Sequence, residues 1–366
     1  MDDEFYIKRA LKLAAKAQGM TSPNPMVGAI IVKYGKLISE DFHRKAGDRH
    51  AEVLAIEKAG KDARGSTLYV NLEPCCHTEK RTPPCTKAIL NAGIKKVIIG
   101  MKDPNPKVSG KGISELQSAD IFVKSGIFED EAKRLNEVYI KYITTEKPFV
   151  ILKIAMTLDG KIATPEGQSK WITGEKARRI VHRLRSRVDA VLTAIGTLKA
   201  DDPQLTARIK GGKNPLRIIL DPNLEIPLNA KILQIPPETL IIARKPVVTN
   251  QHSAVNEKEK MLLNRGVNII LYDGEKVDLD WLMKRLGEMQ ITSVLIEGGS
   301  SLNAHALEDG IVDKVMFFIA PMIIGGRDSF PAVGGRTYKK LEDAYRMRGA
   351  KIRQIGADFL IEGYLK

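Results

Sequence analysis

The sequence predicts an α/β protein divided into two domains. Strand-length apolar runs alternate with apolar residues at helical spacing, the pattern of βαβ units. A polar break, Glu146-Lys147-Pro148, separates one such series from a second that restarts on Phe149. The 366 residues also exceed the ~100–200 of a usual domain. The expected domains are therefore residues 1–146 and 147–366.

In the first half, Phe5, Ala10, Leu11, Leu13, Ala14 and Ala17 space an amphipathic helix over 4–19, which Ser22-Pro23-Asn24-Pro25 ends. Val27 to Val32 reads as a strand, and Tyr34-Gly35 turns it into a second around Leu37-Ile38. A helix is expected over 50–59, a strand over 67–72, a helix over 84–91 and a strand over 96–100. Proline and glycine make 103–112 a loop, and a helix follows over 129–143.

In the second half, strands are expected at 149–155, 190–192, 216–220, 240–243, 267–271, 293–296 and 315–319. Helical patterns lie at 174–187, 278–288 and 300–308. The halves do not resemble each other, and neither contains a repeat or a low-complexity tract.

No apolar run approaches the ~18–20 residues needed to span a bilayer. The start, Met1-Asp2-Asp3-Glu4, lacks a basic segment before an apolar one, so a cytoplasmic protein is expected. The net charge is +14. Its Lys and Arg residues are spread along the chain, without the basic, aromatic-rich run that stacks bases. Neither a nucleic-acid nor a membrane partner is expected; attraction of small phosphorylated substrates is.

All three cysteines fall between Cys75 and Cys85, too close together for a disulfide framework and suited to a local metal site. His50-Ala-Glu52 opens a helix, Glu73-Pro74-Cys75 follows a strand, and Pro83-Pro84-Cys85 opens the next helix. Catalytic zinc takes three protein ligands and keeps a fourth position for water, whose pKa it lowers to about 7. His50, Cys75 and Cys85 supply such a set. Glu52, two residues from His50, reaches the water as general acid and base. Helix N-termini favour the thiolate form of both cysteines. A His-x-Glu pair followed by Pro-Cys is the signature of zinc deaminases, although Cys75 and Cys85 are ten apart rather than three. A closed structural site, with Cys76 or His77 as fourth ligand, is the alternative.

Several motifs in register resemble the bifunctional deaminase–reductases of riboflavin biosynthesis. They are Asn24-Pro-Met-Val-Gly-Ala29, Asn71-Leu-Glu-Pro-Cys-Cys-His77 and Arg81-Thr-Pro-Pro-Cys85. The second half continues with Lys153-Ile-Ala-Met-Thr-Leu-Asp-Gly-Lys161, Ser169-Lys-Trp-Ile-Thr173, the run from Thr197 to Arg208, and Glu297-Gly-Gly-Ser300. Between His77 and Arg81 the chain is one residue longer than the family pattern. The resemblance implies a cytidine-deaminase-like three-layer domain followed by a dihydrofolate-reductase-like domain. It implies deamination of a phosphorylated diaminopyrimidinone carrying a ribosylamino group, with zinc at His50, Cys75 and Cys85, Glu52 catalytic and Asn24 on the substrate. It further implies reduction of the ribosyl to a ribityl chain by NADPH, and a homo-oligomer.

In the reductase half the family pattern places Ser169, Arg185, Leu205, Arg208 and Glu297 on the substrate. It places Ala155, Trp171, Thr197, Asp201, Gly299, Ser300 and Ser301 on the cofactor. Gly298 and Gly299 open a helix whose N–H groups suit a phosphate, while no Gly-x-Gly-x-x-Gly fingerprint is present. Arg185 and Arg208 suit a phosphate as bidentate donors. Arg179, Arg183 and Arg187 read as solvated surface, Trp171 alternatively as a core aromatic, and His43, His182 and His305 as structural or exposed. Two other functions compete. An RNA-editing deaminase is suggested by the charge and opposed by the cysteine spacing and the 5% aromatic content. The other is a zinc-stabilised scaffold without catalysis.

Overall fold

The structure, a computed structural model, describes residues 2–77, 83–236, 238–245, 252–335 and 340–365, with 252–256 as backbone only. The chain forms two compact units, Met1–Lys147 and Pro148–Lys366. The extra residue between His77 and Arg81 falls outside the described residues.

The first unit runs α1 (Asp3–Ala14), β1 (Gly28–Lys33), β2 (Lys36–Phe42), α2 (Ala51–Ala59), β3 (Thr67–Leu72), α3 (Cys85–Asn91), β4 (Lys96–Met101), α4 (Lys111–Ser118), β5 (Phe122–Ser125), α5 (Glu129–Leu135) and α6 (Glu137–Thr145). Its sheet has the order β2-β1-β3-β4-β5. β1 is antiparallel to both neighbours, and β3, β4 and β5 are parallel. Side chains alternate across it, as a strand requires. Ala29, Ile31, Leu68, Val70, Val97 and Ile99 join a core with Ala51, Ala55, Ile89 and Leu116 from α2, α3 and α4. Ile30, Val32, Tyr69 and Ile98 face the other way, against Tyr6, Ile7, Ala10 and Leu13 of α1. The result is three layers. Gly28 permits the close approach of α1, since a Cβ there would lie 2.3 Å from the Ala10 carbonyl oxygen.

Two elements differ from expectation. The helix expected over 129–143 divides at Asn136 (φ −103°, ψ 22°). That side chain is engaged elsewhere, accepting from the Met26 amide (2.8 Å) and donating to the Met26 carbonyl (3.1 Å). The expected loop 103–112 gives way to α4 at Lys111. The buried Glu73 carboxylate shapes it by accepting from the amides of Asp103, Gly110 and Ile113 at 3.0–3.1 Å. A glutamate some thirty residues or more upstream leaves no trace in the local spacing.

The second unit contains β6 (Phe149–Thr157), β7 (Lys161–Ala163), α7 (Glu175–Arg187), β8 (Ala190–Ala194), α8 (Ile195–Asp201), β9 (Leu216–Leu220), α9 (Lys231–Gln234), β10 (Thr239–Arg244), α10 (His252–Asn264) and β11 (Asn268–Tyr272). α11 (Leu279–Glu288), β12 (Ser293–Ile296), α12 (Ser300–Glu308), β13 (Lys314–Ala320), β14 (Phe330–Pro331), β15 (Arg348–Ile355) and β16 (Asp358–Tyr364) complete it. The main sheet has the order β11-β10-β9-β8-β12-β6-β13-β16-β15. It is parallel from β11 to β13 and antiparallel over its last two pairings. Leu152, Ile154, Leu192, Ile218 and Ile242 build its core with Leu282 and Leu286 of α11 and Leu302 and Ala306 of α12. The parallel strands are apolar throughout because both faces are covered. β15 is exposed along nearly its whole length, so it shows no buried periodicity to read.

Candidate active sites

The first site lies at the carboxyl end of β3, where the N-termini of α2 and α3 converge. His50 is the N-cap residue of α2, with extended backbone (φ −70°, ψ 158°), and Glu52 stands in its first turn. Cys85 is the first residue of α3. The Nδ1 of His50 is 3.2 Å from the Cys85 sulfur and 3.5 Å from the Cys75 sulfur. The three donor atoms lie within 4.8 Å of one another. The Cys85 amide points at the Cys75 sulfur (3.5 Å), so the helix end favours the thiolate. Cys76 stands outside this group, and none of the three cysteines forms a disulfide.

Glu52 is 3% exposed, and its Oε2 has no hydrogen-bond partner among the described residues. Burial pushes its carboxyl above the usual range, against the opposing pull of His50. One imidazole nitrogen, two sulfurs and an orphaned buried carboxylate oxygen are the donor set of a catalytic zinc site with one open position, so the residues fit that ion. Asn24 is positioned by His43, whose Nε2 lies 3.1 Å from the Asn24 amide nitrogen. The His43 Nδ1 lies 3.2 Å from the Arg49 carbonyl, and its ring meets that of His50 edge-on. His43 is 2% exposed. Read from sequence it is an ordinary histidine; only the fold places it between Asn24 and His50.

The second site is a cleft of about 940 Å³ in the second unit, at the carboxyl ends of β6, β8 and β12. Parallel sheets bind their ligands at this end. Ala155 comes from β6, Thr197 and Asp201 from α8, and Glu297 follows β12. Gly299, Ser300 and Ser301 bring the N-terminus of α12 to the cleft wall. A Cβ on Gly299 would sit 3.5 Å from the Thr197 hydroxyl. The Ser300 side chain packs instead against Gly334, where a Cβ would come within 2.7 Å of its hydroxyl. Ser169 donates to Asp201 (2.9 Å), which joins a residue expected on the substrate to one expected on the cofactor. Trp171 is 65% exposed, so it is not a core aromatic; the Arg178 guanidinium lies 4.4 Å from its ring centroid.

The cleft floor is a buried charge network. Arg185 donates to both Glu297 oxygens (2.5 and 3.0 Å) and to the Thr206 carbonyl (3.1 Å). Lys153 lies 3.4 Å from Glu297. Burial alone would raise the Glu297 pKa, but Arg185 and Lys153 outweigh it and hold the carboxyl at about 2. The guanidinium fork of Arg185 is thus committed to the protein. Arg208 makes no hydrogen bond or ion pair among the described residues, which leaves it as the available guanidinium in the cleft. Its segment is strained: Asp202 (φ 43°), Leu205 (φ 53°) and Arg208 (φ 47°) all adopt left-handed backbone. Such strain collects at functional sites. Arg179, Arg183 and Arg187 are exposed on α7. His182, on the same helix, lines the cleft, and His305 is mostly buried beside Asp309.

Comparison with known proteins covers both units. The family model "Cytidine and deoxycytidylate deaminase zinc-binding region" matches residues 1–101, and the "RibD C-terminal domain" model matches 148–361. The riboflavin biosynthesis protein RibD of Aquifex aeolicus is 44% identical over 361 residues, covering 98% of this chain and 97% of that protein. The structure of Acinetobacter baumannii RibD superposes with a TM-score of 0.88 at 37% identity, covering 99% of this chain and 98% of the other. That of a diaminohydroxyphosphoribosylaminopyrimidine deaminase/5-amino-6-(5-phosphoribosylamino)uracil reductase from Thermotoga maritima gives 0.86 at 37% identity, with the same coverage.

Proposed function

The chain belongs to the RibD family of bifunctional deaminase–reductases of riboflavin biosynthesis, and from that premise we propose how its residues divide the work. The fold is of the expected kind, a cytidine-deaminase-like unit followed by a reductase unit like dihydrofolate reductase. The substrate of the first site is a diaminopyrimidinone carrying a ribosylamino phosphate. Its ring amino group is replaced by oxygen and leaves as ammonia. The observation that carries this reading is the convergence of His50, Cys75 and Cys85 beside the orphaned oxygen of Glu52.

His50, Cys75 and Cys85 hold zinc, with Cys76 and His77 as neighbours rather than ligands. Zinc, when bound, supplies Lewis acidity and a source of hydroxide at neutral pH. Glu52 takes a proton from the attacking oxygen on its Oε2 and returns it to the departing amine. Its burial suits this exchange, because the protonated form is not penalised. Asn24, fixed by His43, orients the pyrimidine.

In the second site, Gly299, Ser300 and Ser301 offer the N-terminus of α12 to a phosphate of NADPH, with Ala155, Trp171, Thr197 and Asp201 along its path. NADPH, when bound, supplies the hydride that converts the ribosyl to a ribityl chain. Ser169, Leu205 and Glu297 hold the substrate, Arg208 takes its phosphate, and Arg185 holds Glu297 in place. No helix among the described residues is long and apolar enough to cross a membrane. Three cysteines without a disulfide suit a cytoplasmic enzyme.

The test is to mix the protein with the diaminopyrimidinone ribotide and NADPH. Ammonia release followed by loss of NADPH absorbance is expected; ammonia without NADPH oxidation would remove the reductase assignment. Cys75→Ser should abolish bound zinc, and Cys76→Ser should retain it, by metal analysis of the purified proteins.

A further inference from the structure

His182 stands one helical turn before Arg185 on α7, so both side chains leave the helix on the same face. One carbonyl ties both to the strained segment ahead of Arg208. The Thr206 oxygen lies 3.3 Å from His182 Nδ1 and 3.1 Å from Arg185 Nη1. A carbonyl only accepts, so Nδ1 carries the hydrogen, and the neutral ring must present Nε2 as an acceptor. Nε2 has no partner among the described residues and is not sealed from solvent, in a side chain that lines the cleft. An acceptor between two guanidiniums has no evident structural purpose.

We propose that His182 is a further ligand of the substrate's phosphate, its Nε2 sharing one proton with a phosphate oxygen beside Arg208. This rests on the reading that Arg208 takes that phosphate. The proton balance is simple. A phosphate monoanion donates its P–O–H to neutral Nε2, or a protonated ring donates to the dianion. Either way the complex holds one proton more than the neutral histidine and dianion that predominate above neutral pH. The proton comes from the phosphate's own second ionisation or from solvent.

The charged groups around the ring agree with this state of the free enzyme. Arg185 and, a turn earlier, Arg178 share its helix; Arg208 faces it from the 202–208 segment; Glu297, backed by Lys153, faces it from the end of β12. Burial and then the two guanidiniums of Arg185 and Arg208 push the His182 pKa down, against the weaker pull of Glu297. The ring therefore waits neutral, and a phosphate dianion between it and Arg208 reverses the sign of the local field.

The experiment measures kcat and KM for NADPH oxidation with the deaminated, phosphorylated pyrimidine from about pH 7 to about pH 9. Uptake of one proton on binding makes the KM of the unaltered enzyme rise by about tenfold per pH unit, with kcat flat. His182→Gln, whose amide donates without titrating, should flatten that rise. The dephosphorylated riboside should show no such slope with either protein. A structural role alone would raise the KM of His182→Gln by one factor at every pH; a retained slope of this kind overturns the proposal. Arg208→Ala separates the premise. If it leaves KM unchanged, the phosphate is not at Arg208 and the underlying reading fails. If it raises KM while His182→Gln keeps the slope, only the role of His182 fails.

Discussion

Glu52 is the residue on which the first site turns. Its carboxyl is buried, raised in pKa by that burial, and lacks a partner for one oxygen. Such a group is costly unless it has work to do. Glu52→Gln keeps the shape and removes the proton exchange. Ammonia release should fall by about 10²–10⁴-fold, the range of general acid–base catalysis, while metal analysis still finds zinc. Loss of both together would mean that Glu52 holds the site rather than works in it. Glu297 shows the opposite electrostatics. Its carboxyl is held at about 2 against a usual 4.5, so it stays ionised and anchors Arg185. A depressed carboxyl contributes stability that is present above pH 4.5 and lost as pH falls toward 2. Acid titration of reductase-unit unfolding should show this loss over that window, and Glu297→Gln should remove it together with part of the stability at neutral pH.

At the level of elements, each site is built where chain segments distant in sequence are forced together. α1 lies against β1 closely enough that a Cβ on Gly28 would strike the Ala10 carbonyl. Asn71 continues that anchorage, accepting from the Gly28 amide (2.8 Å) and donating to the Met26 carbonyl (3.0 Å). The segment bearing Asn24 is thereby held from two sides, by Asn71 and Asn136. Gly28→Ala should cost about 1–3 kcal/mol, the range for overpacking a filled core. Thermal unfolding should show the deaminase unit melting earlier and the reductase unit unchanged. A shift of both would indicate that the units do not unfold separately.

For the whole molecule, the two sites belong to separate compact units with separate cores. Their chemistries should therefore be separable by substrate. Glu52→Gln, supplied with the already deaminated pyrimidine ribotide, should oxidise NADPH at the unaltered rate while failing on the diamino compound. A matching loss of both activities would show that an intact deaminase site is needed for reduction. The +14 charge fits an enzyme that handles a phosphorylated substrate and a phosphorylated cofactor.

Short-range spacing makes some of this molecule legible directly. His50 and Glu52 share one helix start, and Cys75 and Cys85 each stand at an element end, so the chemistry of the first site and the α/β class follow from local pattern. The central strands are equally plain, because burial on both faces writes a continuous apolar run. The remainder depends on contacts across tens of residues. The sequence alone cannot separate Cys75 from Cys76; the sulfurs turned toward His50 do so. It cannot distinguish His43 and His182 from other histidines, Arg185 from Arg208, or the helix break at Asn136 from a continuous pattern. Each of these is decided by a partner held opposite it in space, and pairwise partners across a fold leave no periodicity in the chain.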